Sequence, residues 1–277
     1  MKHAIMVIGY GNNAKVLQST INVLDDADID FFIHWDKRYS FPNLKSKKSR
    51  IYFLKNRIAV KWGSGSLIKA TVNLMQAVLR NNGNYDYVHL ISGSDMPLMT
   101  RDYFKNYFNK EVYIGFSSVD EKEVSKRLLY FYPNNLDFRK SGKIFRIITY
   151  LNKLFHVNRL AKYSNLSIEK GPEWFSLREK YIKEILNNNL DMFYHSDCAD
   201  ELLVPTLLRR FKDEQLKISF DDSEQAARYI DWKRGKPYSF KEEDITELSN
   251  KINTHYAFAR KINDAKIIQE AFQIANI

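Results

Sequence analysis

Short apolar runs alternate with longer amphipathic stretches through the first half of the chain, and this restricts the fold more than any other feature. His3–Ile8, Asp30–Trp35, Ile51–Leu54 and Asp86–Ile91 read as strands, and Val112–Phe116 as a further one. Asn13–Leu24 carries Val16, Ile21 and Leu24 at roughly helical spacing. Leu67, Thr71, Leu74 and Val78 fall at i, i+4, i+7 and i+11, one stripe of a helix over about 66–80 that Ser64 or Ser66 can cap. Such alternation predicts an α/β fold with a mainly parallel central sheet flanked by helices. In sheets of that kind ligands sit beyond the C-terminal strand ends. Ser92-Gly93-Ser94-Asp95 is a loop signal at one such end. Further on, Trp174–Leu177 reads as a short strand followed by a helix near 178–188. A helix over about 199–211 carries Leu202, Leu203, Leu207 and Phe211. The tail from about 243 reads as two helical stretches with Lys261 at their junction.

A chain of 277 residues is long enough for one large domain with a substantial core. Its 43 Lys and Arg against 33 Asp and Glu give a net charge of +10, which points to an anionic partner. Residues 126–163 hold +8 of it: Lys126, Arg127, Arg139, Lys140, Lys143, Arg146, Lys153, Arg159 and Lys162 against Asp137 alone, interleaved with aromatics. Within this segment Ile144, Ile148, Leu151 and Phe155 fall at helical spacing, with Lys143, Arg146, Lys153 and Arg159 around them. That is the pattern of an interfacial amphipathic helix on an anionic membrane surface; the plainer alternative is a core-packed helix with a solvated basic face. A basic aromatic helical insertion is therefore expected at about 117–165 of a single domain. No helix-turn-helix, zinc-finger or RNA-recognition signature supports nucleic acid as the partner. Lone Cys198 excludes a disulfide framework and a cysteine-based zinc site. The five apolar residues Ala4–Ile8 are too few for a signal peptide, and no run reaches the roughly 18 apolar residues of a membrane span. The expected location is the cytoplasm, with the basic segment at the inner face of the cell membrane.

Seven phrases, in order, resemble those of one family. They are His34-Trp35-Asp36-Lys37, Lys61-Trp62-Gly63-Ser64-Gly65-Ser66-Leu67, Leu90-Ile91-Ser92-Gly93-Ser94-Asp95-Met96-Pro97-Leu98, Gly171-Pro172-Glu173-Trp174-Phe175-Ser176-Leu177, Asp200-Glu201, Arg228-Tyr229-Ile230-Asp231-Trp232 and Phe258-Ala259-Arg260-Lys261. All four tryptophans of the chain lie inside them. Together the phrases are similar to the Core-2/I-branching β-1,6-N-acetylglucosaminyltransferases, a family that includes peptide O-xylosyltransferases. The resemblance implies a GT-A-like fold, a nucleotide-sugar donor, inversion at the anomeric carbon and no need for a metal.

Inverting transfer is a direct displacement that needs one carboxylate to take the acceptor's proton. The resemblance makes Glu201 that base, with Asp200 a helix-dipole partner or acceptor contact and Glu173 the reserve base. Trp174 and Trp232, with Glu173 and Asp200, form the expected acceptor side. On the donor side Gly9 allows close backbone approach, Asp36 accepts from uracil or ribose, Trp62 walls the nucleotide, and Asp95 contacts the sugar or holds its loop. Lys261, or its neighbour Arg260, supplies a counter-charge to the diphosphate, and Arg234 or Lys236 a second one. Asp26-Ala27-Asp28 and Asp28-Ile29-Asp30 have the spacing of a metal-binding pair, but they precede a strand, at the wrong edge of a parallel sheet. The expected reaction moves a sugar from a UDP-sugar to a glycan hydroxyl. GlcNAc is the favoured sugar, and xylose, galactose and galactofuranose remain open. The expected acceptor is a lipid-linked oligosaccharide of bacterial surface polysaccharide. The alternative is a non-catalytic glycan-binding protein with a decayed site.

Overall fold

The computed structural model describes residues 1–117, 120–163, 166–213 and 222–275. Two seven-residue, largely apolar strands form its centre. β1 (His3–Gly9) and β2 (Ile29–Trp35) pair in parallel, and all of β2 and all of β1 except Ile8 are buried. A strand covered on both faces is mostly apolar and does not alternate; the buried polar residues His3, Asp30 and His34 are the exceptions here. Helix α1 (Lys15–Val23) makes the crossover between them. β3 (Ile51–Phe53), α2 (Gly65–Arg80) and β4 (Tyr87–Ser92) follow. The expected stripe of α2 packs inward with Thr71, Leu74 and Val78 buried, and the Ser64 hydroxyl accepts from the Ser66 amide at its start.

Beyond β4 the elements shorten: β5 (Asp95–Pro97), α3 (Arg101–Tyr107), β6 (Val112–Tyr113), α4 (Glu121–Leu129), α5 (Gly142–Leu154), β7 (Ser176–Arg178), α6 (Glu179–Asn187), α7 (Asp200–Leu207), β8 (Arg228–Ile230), α8 (Ile245–Ser249), β9 (Phe258–Arg260) and α9 (Ala265–Ile274). The large sheet has the order β3-β2-β1-β4-β7-β6. Its first four strands are parallel, and β7 and β6 are antiparallel additions at one edge. This is the expected α/β arrangement. A second sheet, β5-β9-β8, was not foreseen. It turns the supposed helical junction at Lys261 into the end of strand β9. Among the described residues no helix is long and apolar enough to cross a membrane.

The basic segment forms α4 and α5, with two departures from expectation. Arg159 is no surface cation: its guanidinium donates to the carbonyls of Tyr130, His195, Asp191 and Tyr194 and to the Ser196 hydroxyl, knitting three loops together. The exposed apolar face of α5 also differs from the expected stripe. Ile147, Tyr150 and Leu154 join Ile144, Leu151 and Phe155, while Ile148 is partly covered.

One side chain joins the two sheets. Arg228 on β8 is only 1% exposed, yet its guanidinium donates to the carbonyls of Leu90, Phe175 and Ala226 and to the Ser176 hydroxyl. It lies over the Phe258 ring of β9, 5.0 Å from the centroid. Replacing Arg228 with Met would remove the guanidinium's hydrogen bonds to those buried carbonyls, at a cost of about 2–4 kcal/mol. The expected outcome is a lower urea midpoint for R228M at unchanged slope; a midpoint equal to wild type would show that the tie contributes nothing to stability.

Candidate active site

The C-terminal ends of β1, β2 and β4 open into a cleft of about 370 Å³, as a parallel sheet requires. Gly9, Asp36 and Ser92 come from these ends, Trp62 from the entry to α2, Arg139 from the segment before α5, and Arg260 and Lys261 from the end of β9. Asp26 and Asp28 lie at the opposite edge, where Lys105 pairs with both. Among the described residues no three His, Cys, Asp or Glu side chains gather in a way that could hold a metal ion.

Three expected donor contacts take different parts. Asp36 is 1% exposed and its acceptor capacity is filled. One oxygen takes the Arg38 amide and Nε, both at 2.9 Å; the other takes Arg38 Nη2 at 2.7 Å and the Val60 amide at 2.9 Å. It therefore does not face a nucleoside as an acceptor; it fixes Arg38, whose guanidinium lines the cleft. Gly9 is needed because a Cβ there would collide with the Trp35 indole, an internal reason for the glycine. Arg234 is tied to Asp231, Asp244 and Glu247 and is absent from the cleft lining, so it does not serve as a phosphate ligand. Its neighbour Lys236 does line the cleft and is exposed.

Asp95 holds its loop. It is 1% exposed and accepts from the Ser92 amide and hydroxyl and from Arg260 Nη1 at 2.8 Å. Arg260 also donates to the Ser92 hydroxyl and stacks on Trp174, 4.4 Å from the ring centroid. Trp174 consequently lines this first cleft, beside the residues expected to meet the donor, with one face occupied. Lys261 lines the same cleft and forms no ion pair among the described residues. Trp62 walls the cleft, 43% exposed, with Arg139 stacked 4.0 Å from its centroid. His34 is a packed strand residue whose Nε2 accepts from the Ile58 amide.

The three candidate carboxylates divide between two clefts. Glu173 and Asp200 line the first; Glu201 lines a second, of about 850 Å³, with Lys170, Gly171 and Trp232. Glu173 Oε1 and Asp200 Oδ1 are buried and have no hydrogen-bond partner among the described residues. Burial, then the charge of Asp200, pushes the Glu173 carboxyl well above the usual range, against the pull of Arg260. Burial, then the charge of Glu201, pushes Asp200 up to about 7. Glu201 is held differently: Arg127 Nη1 lies 2.8 Å and Lys170 Nζ 3.6 Å from the same oxygen. The Gly171 amide donates to the Glu201 carbonyl at 2.9 Å, and a Cβ on Gly171 would strike the Gly115 carbonyl. Trp232 stands 47% exposed in this second cleft.

Arg38, Arg139, Arg127 and Lys170 were missed at the level of sequence. Arg38 had a signal, standing two residues after an acid at a strand end. Arg127 had none, since its partner Glu201 lies 74 residues away.

Residues 4–252 match the family model described as Core-2/I-Branching enzyme. Among curated proteins the chain is similar to "Xylosyltransferase oxt" of Drosophila melanogaster, 23% identical over 268 residues, covering 86% of this chain and 30% of that protein. It is similar to "Xylosyltransferase 1" of Homo sapiens, 20% identical over 303 residues (96% and 29%), and to "Xylosyltransferase 2" of Rattus norvegicus, 22% identical over 303 residues (98% and 33%). The chain thus spans about a third or less of these relatives' length. The family match runs from β1 through α8, and the chain belongs to the Core-2/I-Branching enzyme family, with its GT-A-like glycosyltransferase fold.

Proposed function

We propose that this protein is an inverting glycosyltransferase that moves a sugar from a UDP-sugar to a glycan hydroxyl without a metal. The observation that carries the reading is a pair of buried, unpartnered carboxyl oxygens, on Glu173 and Asp200, in a cleft rimmed by cations. The donor occupies the first cleft, where Arg38, Arg139, Lys236 and Lys261 supply the charge that a diphosphate needs. The acceptor enters from the second, with Trp232 offering a face to a sugar ring.

Glu173 is a better base than Glu201. It directly follows Gly171-Pro172, which line the second cleft, and itself lines the first, so it stands at their boundary. Burial raises its proton affinity above that of an ordinary carboxylate, which suits a proton acceptor. Glu201 has an oxygen committed to Arg127 and Lys170 and is assigned to orienting the acceptor. In the transfer the acceptor oxygen attacks the anomeric carbon as Glu173 takes its proton. The anomeric C–O bond breaks with its electron pair going to the UDP, and Lys261 stabilises the charge that develops there.

Two donors have separate support. The sequence phrases favour UDP-GlcNAc; the names of the similar animal proteins favour UDP-xylose. A donor panel that includes UDP-galactose and UDP-galactofuranose decides between them. A lipid-linked oligosaccharide remains the proposed acceptor, compared in the same assay with a water-soluble glycan.

Glu173→Gln should lower kcat by roughly 10²–10⁴-fold with UDP affinity retained, and Glu201→Gln should act more on the KM for acceptor. The reverse pattern would return the base to Glu201. The base must be ionised, so kcat/KM should fall as pH is lowered, with the acid limb lying well above the usual carboxylate range. Asp200→Asn removes a like charge beside Glu173 and should move that acid limb to lower pH; an unmoved limb would break the link between the two carboxyls. Lys261→Ala should weaken UDP binding roughly 10–100-fold by calorimetry, while excess EDTA leaves transfer unchanged. A strict Mn²⁺ requirement would overturn the metal-free reading.

A further inference from the structure

Helix α5 turns one face away from the rest of the protein. Ile144, Ile147, Tyr150, Leu151, Leu154 and Phe155 are all exposed, Tyr150 by 65% and Phe155 by 72%. Positions 144, 147, 151 and 154 follow the three-and-four spacing that puts side chains on a single stripe. The opposite face is firmly seated. Phe145 stacks on Tyr132 with ring centroids 4.8 Å apart, and the buried Asn152 amide exchanges two hydrogen bonds with the Phe131 backbone. The outward stripe therefore belongs to an anchored helix, and it is larger than a scatter of single exposed residues.

Cations edge the stripe. Lys143 lies within it, and Arg146 and Lys153 sit two turns apart along one flank; all three are exposed and form no ion pair among the described residues. Lys126, Lys140 and Lys162 are exposed nearby, and residues 138–163 contain no Asp or Glu.

We propose that α5 docks the protein on an anionic phospholipid surface, with its axis in the plane of the interface. The apolar stripe enters the acyl boundary and the cations meet the headgroups. Charge complementarity selects this occupant. A second copy packed through the same face would bring its Lys143, Arg146 and Lys153 against this set with no acid between them. The segment that leads into α5 also gives Asp137 and Arg139 to the first cleft, so docking would set the mouth of that cleft beside the membrane. The docking rests on the helix face alone and stands apart from the transfer reaction.

Co-sedimentation with vesicles of mixed phosphatidylglycerol and phosphatidylcholine tests it. The wild type should bind these vesicles at least tenfold more strongly than pure phosphatidylcholine, and salt should weaken the binding. The triple variant Lys143→Gln, Arg146→Gln, Lys153→Gln should lose roughly a hundredfold in partitioning. The double variant Ile147→Glu, Phe155→Glu should also be released. All five side chains are exposed, so wild-type melting curves will show that both variants are folded. UDP affinity measured on the same samples should stay constant, which separates a failure of docking from a failure of the transferase reading. Wild type that remains in the supernatant with anionic vesicles would overturn the proposal. So would variants that sediment like wild type, or a dimer in light scattering that Ile147→Glu dissolves, which would make the face a self-interface.

Discussion

A single buried guanidinium sets the relation between the two sheets, and the cleft depends on that relation. The contacts of Arg228 are carbonyls, a hydroxyl and an aromatic ring contributed by both sheets. Both terminal nitrogens of this buried group find acceptors while Nε has no partner among the described residues, so the surrounding loops are held to the positions that satisfy the two terminal nitrogens. This fixes β9 beside β5, with Asp95 opposite Arg260 in register. The Asp95–Arg260 pair then carries the order outward to Trp174 and to Lys261 at the mouth of the cleft. The cleft is thus built on a frame whose central tie lies outside it.

The electrostatics divide along the same lines. Cations reach the donor cleft from four separate segments, and most are exposed enough to keep their charge at little cost. One oxygen each of Glu173 and Asp200 is buried without a partner among the described residues, and burial raises the proton affinity of both carboxyls. The cations suit an anionic ligand, and the carboxyls suit a proton transfer at the far end of that ligand. Charge that looked like one excess in the sequence separates into three uses: Arg159 as an internal staple, Arg127 as a partner for Glu201, and the lysines of α5 as free surface charge.

How much of this was legible in the sequence depended on length and range. β1, β2, β4 and α2 have enough residues to show a period or a continuous apolar run, and each was placed within a residue or two. β5, β8 and β9 have three residues each, too few for any period, so the second sheet stayed hidden and Lys261 was assigned to a helical junction. Site positions at the strand ends were legible because a parallel sheet dictates them. What each residue does there was less so. Asp36 looked like an open acceptor because the backbone turn and the Arg38 fork that fill it are features of the folded chain. The pairing of Arg127 with Glu201 spans 74 residues and left no local trace.

Asp200 and Glu201 are neighbours at the first turn of α7, yet they line different clefts. Consecutive residues on a helix point about 100° apart, so one backbone step separates the donor-side acid from the acceptor-side acid. A slip of one residue at the start of α7 would rotate the pair and present the wrong acid to each cleft. The spacing between β7, which follows Glu173, and the start of α7 is consequently as much a part of the site as the identity of either acid.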